Sequence, residues 1–242
     1  MALLRHVPLL DMSLEDSIMG EVLIADSDNY AHQVTGGPLG HYIDCIGTRI
    51  NYPTLNTDRV YNEFSIAFWF MPKSYGDSSL TSTWKYLISI KSSGPNNTDE
   101  ILRFVNNQGN NYQLFGNNVF TDSSGFYNLA ITSSRIPVNT WAHVIYAIKS
   151  DNSGTVCKLY INGNYIGQQT TTYKNGGLKN SRLTIGENHS AINFGISDLR
   201  IYDHILSEYE IKELLKRMIL HYSFDVGGGM ILNNYDLFSR IT

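Results

Sequence analysis

Short apolar or alternating segments recur along the chain and are separated by Gly, Asn, Asp, Ser and Pro. In Phe64-Ser-Ile-Ala-Phe-Trp-Phe70 the residues Phe64, Ile66, Phe68 and Phe70 share one face, and Pro72 ends the run. That period of two predicts a half-buried strand. Trp84 to Ile90 reads as another strand, closed by Ser92-Ser-Gly-Pro95, and Trp141 to Lys149 as a third, with Ala142, Val144, Tyr146 and Ile148 on one side. Leu183 to Ile185 and Ile196 to Tyr202 supply two more. Strands at this spacing, with turn signals between them, predict a sandwich or barrel.

Two local features are sharper. Thr155 to Ile161 and Asn164 to Thr170 flank Asn162-Gly163, the pair preferred in a type I′ hairpin turn. Period two then groups Cys157, Leu159 and Ile161 on the buried side. Near the end, Ser207-Glu-Tyr-Glu210 is a capping box, with Ser207 as N-cap and Leu206 and Ile211 placed for a hydrophobic staple. Ile211, Leu214, Leu215 and Met218 form one apolar helical stripe, while Glu208 with Lys212 and Glu213 with Arg217 are i,i+4 pairs. The helix is expected to close one end of the sandwich. From 92 to 124 the composition shifts to Asn, Ser, Gly and Asp, and Asn106 to Asn111 and Gly116-Asn-Asn118 read as turns or loops that serve as hairpin tips or a binding rim.

Composition reinforces the all-β reading, with 12% aromatic residues, sixteen tyrosines among them, and only 17% charged. A net charge of −4 and the lack of a Lys/Arg cluster argue against nucleic acid as a partner. No run approaches the roughly 18 apolar residues of a membrane span, and Met1 to Asp11 does not read as a signal peptide. Cys45 and Cys157 read as buried thiols, with a disulfide as the alternative.

Four segments in order resemble the laminin G-like family of concanavalin A-type lectin/glucanase domains. They are Phe64 to Lys73, Pro137-Val-Asn-Thr-Trp-Ala-His-Val144, Val156-Cys-Lys-Leu-Tyr-Ile-Asn-Gly163, and Leu183 to Gly186 followed by Ile196 to Asp203 and the Leu206 helix. The resemblance implies a jelly-roll β-sandwich of two antiparallel sheets with one short C-terminal helix over residues 1–218. Val7-Pro-Leu-Leu-Asp11 is a loose match to the family's opening strand. Leu220-His-Tyr-Ser-Phe-Asp225 is a closer one, so 219–242 is expected to be a tail that adds a strand, here or to a neighbouring subunit, or begins a further repeat.

Catalysis is disfavoured. The alternating carboxylates of the family's glucanases are missing, as are the Gly-x-Ser-x-Gly, His-Glu-x-x-His, Cys-x-x-Cys and phosphate-loop motifs. Calcium, common in the family, would fall to Asp11, Glu15 and Asp16 or to Asp198, none with EF-hand spacing. Sugar binding needs an aromatic platform with planar amides and carboxylates. Tyr75, Asp77, Trp84, Tyr112, Asn117 and Asn118 are of those types on expected loops or strand ends, whereas Trp69 and Trp141 read as core. The reading that follows is a non-enzymatic structural or attachment component of a larger assembly, with a phage virion as the setting and virion proteins as partners through the tail. The alternative is a carbohydrate-binding module of a secreted or surface protein.

Overall fold

The structure, a computed structural model, describes residues 3–7, 24–25, 31–46, 49–51, 60–73, 85–91, 102–106, 111–122, 125–133, 135–172, 182–186 and 193–224. Sixteen strands and one helix follow in chain order. They begin with β1 (Leu3–Val7), β2 (Ile24–Ala25), β3 (Ala31–Gly37), β4 (Gly40–Ile46), β5 (Arg49–Asn51) and β6 (Glu63–Pro72). The second sheet's main run comes next: β7 (Lys85–Lys91), β8 (Leu102–Asn106), β9 (Asn111–Asp122), β10 (Gly125–Thr132) and β11 (Ile136–Pro137). The chain closes with β12 (Ala142–Asp151), β13 (Gly154–Ile161), β14 (Asn164–Thr171), β15 (Arg182–Gly186), β16 (Asn193–Tyr202) and α1 (Glu208–Phe224).

These strands form two eight-stranded antiparallel sheets. The first runs β14-β13-β12-β6-β16-β4-β3, with β1 beside β16, and the second runs β10-β9-β8-β7-β15-β5-β2, with β11 beside β9. The alternation read in the sequence sets the core between them. Phe64, Ile66, Phe68 and Phe70 of β6 face Ile50, Leu87, Ile131, Leu183 and Ile185 of the second sheet, all 5% exposed or less. Burying each such side chain stabilises by about 1.5–3 kcal/mol. Cys45 and Cys157 sit in this core as free thiols, and burial pushes the Cys45 thiol far above its ordinary pKa.

The hairpin and the helix start form as expected. Asn162 and Gly163 both have positive φ, 50° and 79°. Ser207 Oγ accepts from the Glu210 amide at 3.3 Å, and Glu210 Oε2 accepts from the Ser207 amide at 2.8 Å. Glu213 pairs with Lys216 at 2.8 Å. The helix does not close an end, however. Ile211 and Leu214 lie on the outer face of the first sheet, against Ala67, Ile145 and Tyr160. Strands β6 and β12 are therefore apolar on both faces, which a single alternating stripe does not reveal.

Three further expectations are corrected. Gly116-Asn117-Asn118 is not a loop but the middle of β9, held by β10 through the pairs Gly116–Ile131, Asn117–Ala130 and Asn118–Leu129. Ladder pairing outweighs the local turn preference there. The helix runs on through Leu220–Phe224, so the first residues of the supposed strand-like tail are helical; residues 225–242 lie outside the described residues. Trp69 and Trp141 are not in the inter-sheet core. Both are half-buried on the outer face, where Trp141 meets the Tyr42 ring edge-on at 5.1 Å.

Candidate functional site

The strand ends build a groove of about 500 Å³ at one end of the first sheet. Cross-strand register makes its floor. Lys149 of β12 stands opposite Glu63 of β6, with Nζ 3.6 Å from Oε2, and the Ser150 amide donates to the Asn62 carbonyl at 2.7 Å. Val60 and Tyr61, which lead into β6, also line it, Tyr61 being partly buried against the inter-sheet core. The tight turn from Asp151 to Gly154 supplies Asn152 and Asp151 to the lining. Asp151 Oδ1 accepts from the Ser153 amide at 2.8 Å and from its hydroxyl, and these bonds hold the carboxyl below its ordinary pKa. Gly154 has φ +136°, and a Cβ there would strike the Thr171 carbonyl, so the turn requires glycine.

The third contributor is Asp203, just past β16. Its Oδ1 lies 2.8 Å from Nδ1 of His204, whose Nε2 lies 2.9 Å from Oε1 of Glu210 in the capping box. Burial alone would lower the His204 pKa, but the two carboxylates outweigh it and raise it. Protonated His204 thus ties the groove wall to the start of α1. Ser65 secures the same segment from beneath, donating to the His204 carbonyl at 2.8 Å and accepting from the Leu206 amide at 3.0 Å.

Of the residues singled out in the sequence, those among the described residues are placed elsewhere. Asp11, Glu15, Asp16, Tyr75, Asp77 and Trp84 lie outside the described residues. Tyr112, Asn117 and Asn118 are on β9 of the second sheet, with Tyr112 opposite Ile136 and Asn106. Asp198 occupies a bulge in β16, at φ 53°, where the register with β6 slips between Ser197 and Arg200. There β16 changes its other neighbour from β4 to β1. The Asp198 side chain is fully buried and accepts from Arg200 Nε at 2.9 Å. That suits a structural ion pair and fits poorly with a hydrated hard cation. Among the described residues no group of three or more His, Cys, Asp or Glu is placed to hold a metal ion. The groove residues had one sequence signal, the polar Asp151-Asn-Ser-Gly154 turn between two strands; Tyr61 and Asp203 had none.

On the outer face nearer β4, Lys73 Nζ contacts Asp44 Oδ2 at 2.6 Å and the Tyr42 hydroxyl at 3.1 Å. This cluster packs with Trp141 over Gly195, and Tyr42 is 6% exposed.

Comparison with known proteins gives the following. The Laminin_G_3 family model, described as the Concanavalin A-like lectin/glucanases superfamily, matches residues 47–212. No curated protein sequence matches. Among solved structures, domain 4 of AbnA, a GH43 extracellular arabinanase from Geobacillus stearothermophilus in complex with arabinotriose, superimposes with TM-score 0.62 at 18% identity, covering 88% of this chain and 98% of that one. The binding domain of Paraclostridial Mosquitocidal Protein 1 gives TM-score 0.64 at 16% identity, over 89% of this chain and 52% of that one. The receptor binding domain of botulinum neurotoxin type G gives TM-score 0.63 at 16% identity, over 90% and 51%. The chain thus spans about half the length of the toxin domains. At these identities the likeness is one of fold.

Proposed function

We propose, from the premise that this chain belongs to the concanavalin A-like lectin/glucanase superfamily, that it is a non-catalytic binding module whose strand-end groove holds a saccharide. The observation that carries the proposal is the lining of that groove. One aromatic residue, two amide-bearing residues, three carboxylate residues and one lysine line a concavity of about 500 Å³. Sugar hydroxyls need donors and acceptors of this kind, and the apolar face of a sugar ring needs an aromatic surface. The captured arabinotriose on a domain of the same fold supports the ligand class.

Binding is favoured over turnover because a glycosidase requires a carboxylic acid kept protonated near neutral pH. Here Asp151 is driven the other way by its bonds to Ser153. The setting carried with this proposal is attachment within a larger assembly such as a virion, with an extracellular or surface protein as the alternative.

Calorimetric titration of the full chain with a panel of neutral oligosaccharides tests the saccharide. Tyr61→Ala and Asn152→Ala should each weaken binding by about tenfold, the loss of about 1.4 kcal/mol from stacking or a hydrogen bond, while Tyr165→Ala, far along β14, should not. Absence of binding, or binding indifferent to Tyr61 and Asn152, would sink the proposal. For the assembly setting, the solution mass of the full chain is compared with one ending at Phe224, because a cut at Arg217 would sever α1. A defined oligomer that becomes monomeric on truncation supports it, and two monomers count against it.

A further inference from the structure

We propose that the groove selects its saccharide by charge, preferring amino-bearing over neutral sugars and turning away those with carboxylate or sulfate groups. This rests on the groove being a saccharide site. Glu63, Asp151 and Asp203 share its wall with one ammonium, that of Lys149. Lys149 lies 3.6 Å from Glu63 and also lowers the Asp151 pKa, so it serves two carboxylates at once. Asp203 has His204 behind it at 2.8 Å. The wall therefore carries two surplus negative charges when His204 is neutral and one when it is protonated.

Positions in the fold make that surplus persistent. The Asp151 carboxylate is exposed and accepts from the Ser153 amide within its own turn, and Asp203 lies 2.8 Å from the His204 imidazole, so each carboxylate has a local partner that orients it. The protein as a whole adds to the bias with a net charge of −4. A concave site lined by one sign of charge concentrates ligands of the opposite sign. A ligand charge some 7 Å from one surplus carboxylate in a water-like dielectric shifts affinity by roughly threefold, and two such charges by up to roughly tenfold, with the effect fading as salt screens it.

Matched ligand pairs isolate the charge. One pair is an N-acetylated trisaccharide and its de-acetylated amine; the other is a uronate trisaccharide and its carboxyl-reduced neutral counterpart. Affinities are measured at pH 6.5 in low salt and again in 0.5 M salt, with wild type, Asp151→Asn and Tyr61→Ala. With His204 protonated at this pH and one surplus charge left, the amine should bind roughly threefold tighter than its acetylated partner, and the uronate roughly threefold weaker than its reduced partner. Both ratios should shrink toward one in Asp151→Asn and in high salt. A uronate that binds as well as its neutral counterpart, or a preference unmoved by Asp151→Asn and by salt, overturns the charge proposal. Should the neutral members bind in a Tyr61-dependent way with no charge preference, that proposal falls while the saccharide reading stands. If none of the ligands binds, both fall together.

Discussion

Replacing Ser65 by alanine tests how the outer layer is joined to the sandwich. The Ser65 hydroxyl is fully buried on the outer side of β6 and bridges two backbone groups more than a hundred residues away, the His204 carbonyl and the Leu206 amide. Ser65→Ala leaves both without this partner. An orphaned buried backbone group costs about 1–3 kcal/mol. The Leu206 amide is buried and should take a middle value, whereas the His204 carbonyl is part-buried and should take a low one. The expected loss is therefore about 2–4 kcal/mol, or about 5–12 °C in Tm for a chain of this size. Urea unfolding followed by circular dichroism measures it, and amide exchange at Leu206 locates it, since that amide should lose protection before the core of β6 does. A stability change under about 0.5 kcal/mol with unchanged Leu206 protection would refute the assignment.

Other expectations follow from buried chemistry around the same face. His143 is 1% exposed, neither ring nitrogen has a hydrogen-bond partner among the described residues, and burial lowers its pKa to about 4. Its folded pKa lies below the unfolded value near 6.5, so its contribution is present above pH 6.5 and lost as pH falls toward 4, up to about 3 kcal/mol. His143→Leu should flatten the acid limb of a stability–pH curve, and an unchanged limb would count against this. His204 works in the opposite sense, because its folded pKa is raised: its contribution is full below pH 6.5 and fades as pH climbs through the folded value. His204→Ala should remove the decline on the neutral-to-alkaline side, measured by unfolding from pH 5.5 to 8.5; persistence of that decline contradicts the ion-pair reading. Gly195→Ala would place a Cβ 2.9–3.0 Å from the rings of Tyr42 and Trp141. Moving two rigid rings should cost roughly 1–3 kcal/mol and alter tryptophan fluorescence, so a variant with wild-type spectrum and stability would disprove the packing described.

The sequence by itself determined whatever depends on a few neighbouring residues. The alternating phenylalanines of β6, the Asn162-Gly163 turn and the Ser207–Glu210 capping box carry their own stereochemistry, and each is found as read. Tertiary structure decided the rest. Asn117 and Asn118 became strand because β10 lies alongside to pair with them, and a β10 placed elsewhere would have left a loop. The helix settled on the outer face because Ala67, Ile145 and Tyr160, from three strands, offer one apolar patch there only after β6, β12 and β13 are aligned. Asp198, read as a calcium candidate, is buried at a bulge where β16 changes neighbours from β4 to β1. The groove is the extreme case. Its lining joins residue 61, residue 151 and residue 203, which share no local pattern and meet because strand order sets β12, β6 and β16 side by side. Local propensity reaches only as far as a turn or a heptad, whereas burial on a second face and the convergence of side chains are set by which strands become neighbours.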